Sequence, residues 1–256
     1  MSTERALTGD VDSASPRTVA RITGVVYLVF FLTAVAGAAV APEISGISGV
    51  PGNAATIATY IQSHVAAVEL AVALGLISTA CYVALMAFFY RLFMPVSRTF
   101  AWLAVLFGMV GNAITAFGIV LQAAPLTVLR DNGYLNVFSD AQLQALALWL
   151  LHLSAQAGSI SLVFFGFFQL ALGYLIFRST FLPRLIGVLI ALAGLGWLFF
   201  LSPPLAKSLM TPLEVLGFVA EASLMLWLLV MGVNSQRWID MARVSDLTTS
   251  KGVTKW

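Results

Sequence analysis

Residues 65–93 read VAAVELAVALGLISTACYVALMAFFYRLF, with one acidic residue, Glu69, and one basic residue, Arg91. A helix needs about 20 apolar residues to cross a hydrocarbon core about 30 Å thick. This stretch exceeds that length and carries its two charges towards its ends. It therefore predicts a transmembrane helix, and it sets how the rest of the chain is interpreted.

The composition extends this prediction to the whole chain. Hydrophobic residues make up 60% of the sequence, charged residues 9%, and the mean hydropathy is +0.96. Soluble domains carry about 25% charged residues, so this chain lacks the polar surface needed to face water on all sides. The net charge of +2 lacks the large excess of basic residues that is typical of nucleic-acid-binding proteins. The expected partner is the lipid bilayer. A single cysteine, Cys81, excludes an internal disulfide.

A hydropathy window of about 19 residues predicts an all-α polytopic membrane protein, a bundle of six transmembrane helices. We expect a disordered cytoplasmic N-terminus over residues 1–18, a transmembrane domain over 19–235, and a cytoplasmic tail over 236–256 that is disordered from Asp246. The predicted spans are Ile22–Ala41, Val65–Phe93, Thr99–Ala124, a segment within Ala141–Phe177, Leu185–Leu201 and Leu213–Val233.

The fourth span is too long for a single crossing, because 37 helical residues reach about 55 Å. Either its first turns project beyond the lipid, or it breaks near Ser154–Ser161, where Gly158 and two serines weaken the helix. The pattern Ser139-x-x-Gln142 is typical of a capping box and favours a helix that starts before the membrane. A second helix is expected outside the spans, at Asn53–Gln62 in the longest loop.

Basic residues predict the orientation of the bundle, because short loops rich in Lys and Arg stay in the cytoplasm. The side that carries both termini has eleven basic residues, and the opposite side has two, Arg130 and Lys207. We therefore expect a multi-pass protein of the cell (inner) membrane with both termini cytoplasmic. The small residues that end the first span also resemble a signal-peptidase site, and cleavage there is an open alternative that leaves this orientation unchanged.

Four segments resemble one known family. Residues 164–187 read FFGFFQLALGYLIFRSTFLPRLIG and continue as VLIALAGLGW to residue 197. Residues 21–28, RITGVVYL, open the first helix, and residues 221–232, EASLMLWLLVMG, close the last. These segments resemble bacterial integral membrane proteins of domain-of-unknown-function family 4386. The resemblance implies a multi-helix membrane protein and implies no particular activity.

Ionisable side chains inside a bilayer are costly, so each one is a candidate for function. Away from the span ends the sequence has Glu69, His152 and Glu221, which we expect in the outer half of the membrane, with Gln156 one turn after His152. The hypothesis is a polar ligand-binding pocket lined by Glu69, His152, Gln156 and Glu221. The alternative is that these side chains pair across helices and only stabilise the bundle.

The known catalytic and metal-binding motifs do not occur in the sequence. It contains no Gly-x-Gly-x-x-Gly, Walker loop, His-Glu-x-x-His or Gly-x-Ser-x-Gly pattern. We therefore expect no catalytic residue, metal ligand or cofactor, and an enzyme is the least favoured reading. The favoured one is binding or movement of a small polar ligand, cation or proton, and the alternative is a membrane-embedded scaffold. The sequence does not indicate an oligomeric state.

Overall fold

The computed structural model describes residues 15–45, 52–130 and 133–252, and these residues form helices and connections without a strand. Disorder was predicted over residues 1–18: residues 1–14 lie outside the described residues, and residues 16–18 belong to the first helix. The eight α-helices described are α1 (Pro16–Val40), α2 (Ala54–Ser63), α3 (Val65–Phe93), α4 (Arg98–Val128), α5 (Asp140–Arg178), α6 (Arg184–Trp197), α7 (Pro203–Val230) and α8 (Ser235–Gly252).

Six of these helices, α1 and α3 to α7, are long and apolar enough to cross a membrane once the 3₁₀ turn at Leu198–Leu201 is added to α6. This confirms the predicted all-α, six-helix polytopic bundle. Each of the six packs against its neighbour in sequence, and α7 closes the ring against α1. We call the end of the bundle with Arg17, Arg98 and Arg184 the terminal face, and the end with Ala41, α2 and Arg130 the distal face.

The helix ends follow local sequence signals. Ser15, Asn53, Ser97 and Ser139 each accept a hydrogen bond from a backbone N–H in the first turn of the helix that follows. At Ser139 the predicted capping box with Gln142 is complete. Gly232 has φ 68°, a left-handed conformation that suits glycine, and its N–H donates to the Trp227 carbonyl to end α7.

Helix α5 is unbroken over 39 residues, so a break near Ser154–Ser161 is wrong. The serine hydroxyls are satisfied by backbone carbonyls: Ser154 donates to Gly118 at 2.8 Å and Ser161 to Gly158 at 2.7 Å. A helix of this length spans about 58 Å, about twice a hydrocarbon core, so part of it projects. The short helix α2 covers the distal part of α5, where Ile57 and Ile61 share an apolar cluster with Leu151.

Two helices are longer than predicted, and both contain a proline. Helix α4 continues through Pro125 to Val128, and α7 begins at Pro203 instead of Leu213, with Pro212 inside it. Prolines at the first two positions suit a helix start because their missing N–H has no intrahelical partner there.

The chain after the last span is helical, so the disorder expected from Asp246 is wrong as far as Gly252. Helix α8 is fixed to the terminal face by two long-range hydrogen bonds. Trp238 Nε1 donates to the Leu92 carbonyl at 2.9 Å, and an Arg237 Nη donates to the Thr180 carbonyl at 3.0 Å. Its apolar side, with Trp238 and Met241, packs against the main apolar core.

Four glycines bring α5 and α6 into backbone contact. A Cβ built on Gly173 would lie 2.7 Å from the Gly187 carbonyl oxygen, and one on Gly166 would lie 2.9 Å from that of Gly194. Gly166 and Gly173 are seven residues apart on α5, and Gly187 and Gly194 are seven residues apart on the antiparallel α6. The two close contacts therefore follow one line along the helix pair. Packing through small residues is typical of membrane helices, where lipid supplies no hydrophobic drive for association.

Candidate functional site

The structure does not bring the four predicted ligand-binding residues together. Glu69 lies near the start of α3 at the distal face, where its carboxylate accepts a hydrogen bond from Arg130 at 2.8 Å. The side chains of Arg130 and Glu69 are 61% and 54% exposed. Glu69 is therefore one half of a surface ion pair that joins α3 to the end of α4.

We expect Arg130→Ala to change stability little. An exposed ion pair contributes about 0.2–1 kcal/mol, because solvent screens the charges and both side chains lose freedom. The unfolding free energy in detergent should fall by no more than about 1 kcal/mol. A double-mutant cycle with Glu69→Gln measures the coupling, and a coupling several-fold larger would show that the pair is shielded from water.

His152 and Gln156 are exposed on the surface of α5. They lie about 39 Å and about 33 Å along the helix axis from Arg178 at the terminal face, at 1.5 Å per residue. Both distances exceed a hydrocarbon core of about 30 Å. Because α5 is so long, His152 and Gln156 are at the distal end of the bundle. Their side chains are exposed and so point away from its interior. That they bind a ligand stays a prediction.

Glu221 lies in the interior, and its partners are not those expected. Gln169 Nε2 donates to the Glu221 carboxylate at 2.7 Å, and the Tyr27 hydroxyl makes a second hydrogen bond to it. Its expected position beside His152 is wrong, because Gln169, to which it is hydrogen-bonded, lies about 26 Å along α5 from His152. That Glu221 lies in the outer half of the membrane stays a prediction. Direct pairing with Gln169 is the arrangement expected of a residue that stabilises the bundle.

Two buried side-chain atoms of the described residues lack a hydrogen-bond partner, and both lie around Glu221. They are the Tyr82 hydroxyl oxygen and Gln169 Oε1. Tyr82 is 6% exposed and Gln169 is 2% exposed. A buried polar atom without a partner costs about 1–3 kcal/mol, so natural proteins keep few of them.

A cleft of about 300 Å³ lies between α1, α3, α4 and α5, on the distal side of this polar group. Ala38 and Ser45 line it at the distal end, and Phe30, Tyr82 and Phe165 line it deeper in the bundle. The cleft is open and not a sealed void. None of Glu69, His152, Gln156 and Glu221 lines it.

The cleft exists because each of the four helices presents a glycine to it. Gly37, Gly75, Gly118 and Gly158 line the walls, together with alanines from three of the helices. A Cβ on Gly37 or Gly118 would meet its nearest neighbour at 3.4 or 3.5 Å, which is ordinary contact distance. Gly37 and Gly118 therefore have room for a Cβ, whereas the glycines at the contact of α5 with α6 bring backbones together.

Polar groups are spaced along otherwise apolar walls. Asn112, on α4, is 7% exposed and donates through Nδ2 to the Thr79 carbonyl at 3.2 Å. Nearer the distal end, Gln122 Nε2 lies 3.5 Å from the Ile44 carbonyl and 3.4 Å from the Ser45 hydroxyl. Gln122 thereby connects the chain after α1 to α4. The cleft can accept a molecule with an apolar body and one or more hydrogen-bonding groups.

Aromatic rings form the deep end of the cleft, which we call the aromatic floor (Phe30, Tyr82 and Phe165). The Tyr82 ring centroid lies 5.3 Å from that of Phe30 and 5.2 Å from that of Phe165. Tyr82 also packs against Phe168, at 6.1 Å. The ring of Tyr82 is thus fixed by neighbours on α1 and α5, while its hydroxyl stays without a partner.

The described residues contain no group of three or more His, Cys, Asp or Glu side chains placed to hold a metal ion. The groups available around the floor are hydroxyl, amide and carboxylate oxygens. Such oxygens suit a hydrogen-bonding or positively charged organic group.

Sequence reasoning missed the cleft, although it contained a signal. Asn112 and Gln122 are the amides of α4, and both line the cleft with Thr115 and Gly118 between them. A polar line on one side of a transmembrane helix indicates an interior surface. In the sequence, the glycines that line the cleft look the same as glycines at helix contacts. Which role a glycine has depends on the helix that faces it in the folded bundle.

Comparison with known proteins gives one family match. The family model described as "Domain of unknown function (DUF4386)" matches residues 22–232 of the chain. No curated protein and no solved structure matches.

Proposed function

Because the chain belongs to the DUF4386 family, a domain of unknown function, we propose its function from its geometry: it binds a small amphiphilic molecule in the cleft between α1, α3, α4 and α5. The cleft volume of about 300 Å³ matches the lower end of the usual range for small-molecule sites. We propose binding only. Binding at this site is compatible with sensing the molecule and with moving it across the membrane.

One observation carries this proposal. Tyr82 lines the deep end of an open cleft, and its hydroxyl is buried and has no hydrogen-bond partner among the described residues. A ligand group that reaches the floor would supply the missing hydrogen bond and remove the cost of leaving it unmade. A purely structural bundle would gain stability by filling the cleft with larger side chains, because cavities destabilise membrane and soluble cores alike.

The walls support an amphiphilic ligand over a strongly polar one. Most of the lining residues are Ala, Gly, Ile and Phe, and the others are Ser, Thr, Asn, Gln and Tyr. A site of this kind pairs an apolar body with a few placed hydrogen bonds. A hydrated inorganic ion would lose more hydration than these walls could replace.

We propose further that the terminal face lies in the cytoplasm of the cell (inner) membrane, so that the cleft opens towards the outside. The basis is the count of eleven basic residues on the terminal side against two on the distal side. Arg17, Arg98 and Arg184 support the assignment by their position at the same end of the described bundle.

Ala155→Phe is the variant that tests binding. Ala155 lines the cleft, so a phenyl ring there would occupy its volume. With 4-phenyl-1-butanol as the probe and the protein in phosphatidylcholine nanodiscs, equilibrium dialysis should give saturable binding for the wild type. Binding by the Ala155→Phe variant should be at least about tenfold weaker. A tenfold loss corresponds to about 1.4 kcal/mol, which is less than the free energy of burying one large apolar group.

Ile160→Phe is the matched control, because Ile160 is on the same helix and is 54% exposed on the outer surface. It should bind the probe as the wild type does. Equal uptake of probe by all three proteins and by empty nanodiscs would mean that the probe partitions only into lipid, and it would refute the proposal.

A further inference from the structure

Glu221 is a half-buried acidic residue whose charge no basic side chain of the described residues offsets. Its partners are neutral: the amide of Gln169 at 2.7 Å and the hydroxyl of Tyr27. The ion pair seen in the described part of the chain is that of Arg130 with Glu69, at the distal face. A carboxylate near the middle of a bilayer needs a counter-charge or a proton, because charge is costly there.

Tyr82 and Gln169 connect the cleft to this carboxylate. Tyr82 lines the cleft, and its ring is 6.1 Å from that of Phe168, which directly precedes Gln169 on α5. Gln169 in turn donates to the Glu221 carboxylate at 2.7 Å, and its Oε1 is buried and without a partner among the described residues. The Glu221 carboxylate therefore lies behind the residues that form the aromatic floor, although it does not line the cleft.

The aromatic floor is itself suited to a positive charge. The faces of Phe30, Tyr82 and Phe165 carry the negative part of the ring quadrupole, which attracts cations within about 6 Å of a ring centroid. The rings are 5.2 to 5.3 Å apart, so one small cationic group can contact more than one of them. A neutral ligand would gain from the apolar contact but would leave the Glu221 carboxylate without a counter-charge.

From this arrangement we propose that the amphiphile bound in the cleft is a monocation, an amine or substituted ammonium, with its charged end at Tyr82 and Glu221 as the counter-charge. The inference rests on the proposed function and adds the chemical class of the ligand. One carboxylate balances one positive charge, whereas a divalent ion would leave net charge in a medium of low dielectric constant. A substituted ammonium also keeps an apolar body that fits the Ala- and Gly-rich walls.

Two probes that differ in one group test the charge. 4-Phenyl-1-butanol ends in a hydroxyl group, and 4-phenylbutylamine ends in an ammonium group at pH 7, like a lysine side chain. Binding of both is measured by equilibrium dialysis in nanodiscs of phosphatidylcholine, whose surface has no net charge. We expect the wild type to bind the ammonium probe at least about tenfold more tightly than the alcohol, as expected for a charge pair several ångströms apart in a medium of effective dielectric constant about 20.

Glu221→Gln keeps the size and hydrogen-bonding capacity of the side chain and removes its charge. In this variant the preference for the ammonium probe should fall to about one, while the affinity for the alcohol changes less than about threefold. Gln62→Glu, on the exposed surface of α2, is the control for a general effect of an acidic residue, and it should not alter the wild-type preference.

Each outcome has a distinct meaning. If neither probe binds saturably, the proposed function is wrong. If both bind equally well to the wild type, the cleft is a binding site but Glu221 is neutralised by a proton, and the inference is overturned. The wild-type ratio alone decides this point, so a failure of the Glu221→Gln variant to fold leaves the test intact.

Discussion

Gly173→Ala is expected to destabilise the bundle by about 2 kcal/mol or more, although alanine is the better helix former by about 1 kcal/mol. The new Cβ would lie 2.7 Å from the Gly187 carbonyl oxygen and 2.8 Å from the Ala191 backbone nitrogen. Both neighbours are backbone atoms, so relief requires α5 and α6 to separate. Separation would also open the contact at Gly166 and Gly194. Denaturant-induced unfolding in detergent, followed by tryptophan fluorescence, measures the loss.

Gly133→Ala is the matched control, because a Cβ on Gly133 meets no atom within 4 Å among the described residues. Its unfolding free energy should stay within about 0.5 kcal/mol of the wild type, the usual range for surface substitutions. A Gly173→Ala variant as stable as this control would show that α5 and α6 tolerate separation, and that the glycine pairs do not hold them together.

Thr115→Cys is expected to react with a charged thiol reagent added from the distal side. Thr115 lines the cleft and is half-buried. A thiol reacts as its thiolate, which forms in a hydrated cleft and is suppressed in hydrocarbon. In a Cys81→Ser background, which removes the native thiol, 2-(trimethylammonio)ethyl methanethiosulfonate added to intact cells should label position 115 at least about tenfold faster than a lipid-facing position.

Val110→Cys supplies that lipid-facing position, because Val110 is on the same helix and is 43% exposed on the outer surface. The sidedness of labelling also tests the orientation. Labelling of Thr115→Cys from outside intact cells agrees with cytoplasmic termini. Labelling that requires permeabilised cells would place the distal face inside and would contradict the charge-based orientation.

The membrane helices were largely predictable because their signals are local. Helix α3 begins and ends at the residues predicted, Val65 and Phe93, since His64 precedes it and Pro95 follows closely. The capping box at Ser139 needs only residues close in sequence, and it was confirmed. Disorder depends on features outside the membrane helices, and the prediction of disorder from Asp246 was wrong as far as Gly252.

The candidate site was less predictable, because depth in the membrane depends on where helices start and on how far they project. The contact between α5 and α7 pairs Glu221 with Gln169, about 26 Å along α5 from His152. The unbroken α5 moved His152 to the distal end. The sequence singled out Glu221 as a polar group within a span, but its pairing with Gln169 depends on a contact between non-adjacent segments and has no local signal.

The glycines show the same limit from the packing side. Gly158 and Gly166 are close in sequence on α5, yet Gly158 lines the cleft and Gly166 contacts the backbone of α6. Local sequence does not separate the two roles, because the difference lies in which helix faces each glycine.

The most direct test of the binding cleft is whether a ligand protects it. The rate of Thr115→Cys modification should be measured with increasing 4-phenyl-1-butanol, using an uncharged thiol reagent so that the ligand and the reagent do not compete through charge. A ligand in the cleft should slow the reaction at least about tenfold at saturation, with no such effect once Ala155→Phe already fills the space. A rate that does not change with the probe would show that the cleft does not bind it, and it would contradict the account.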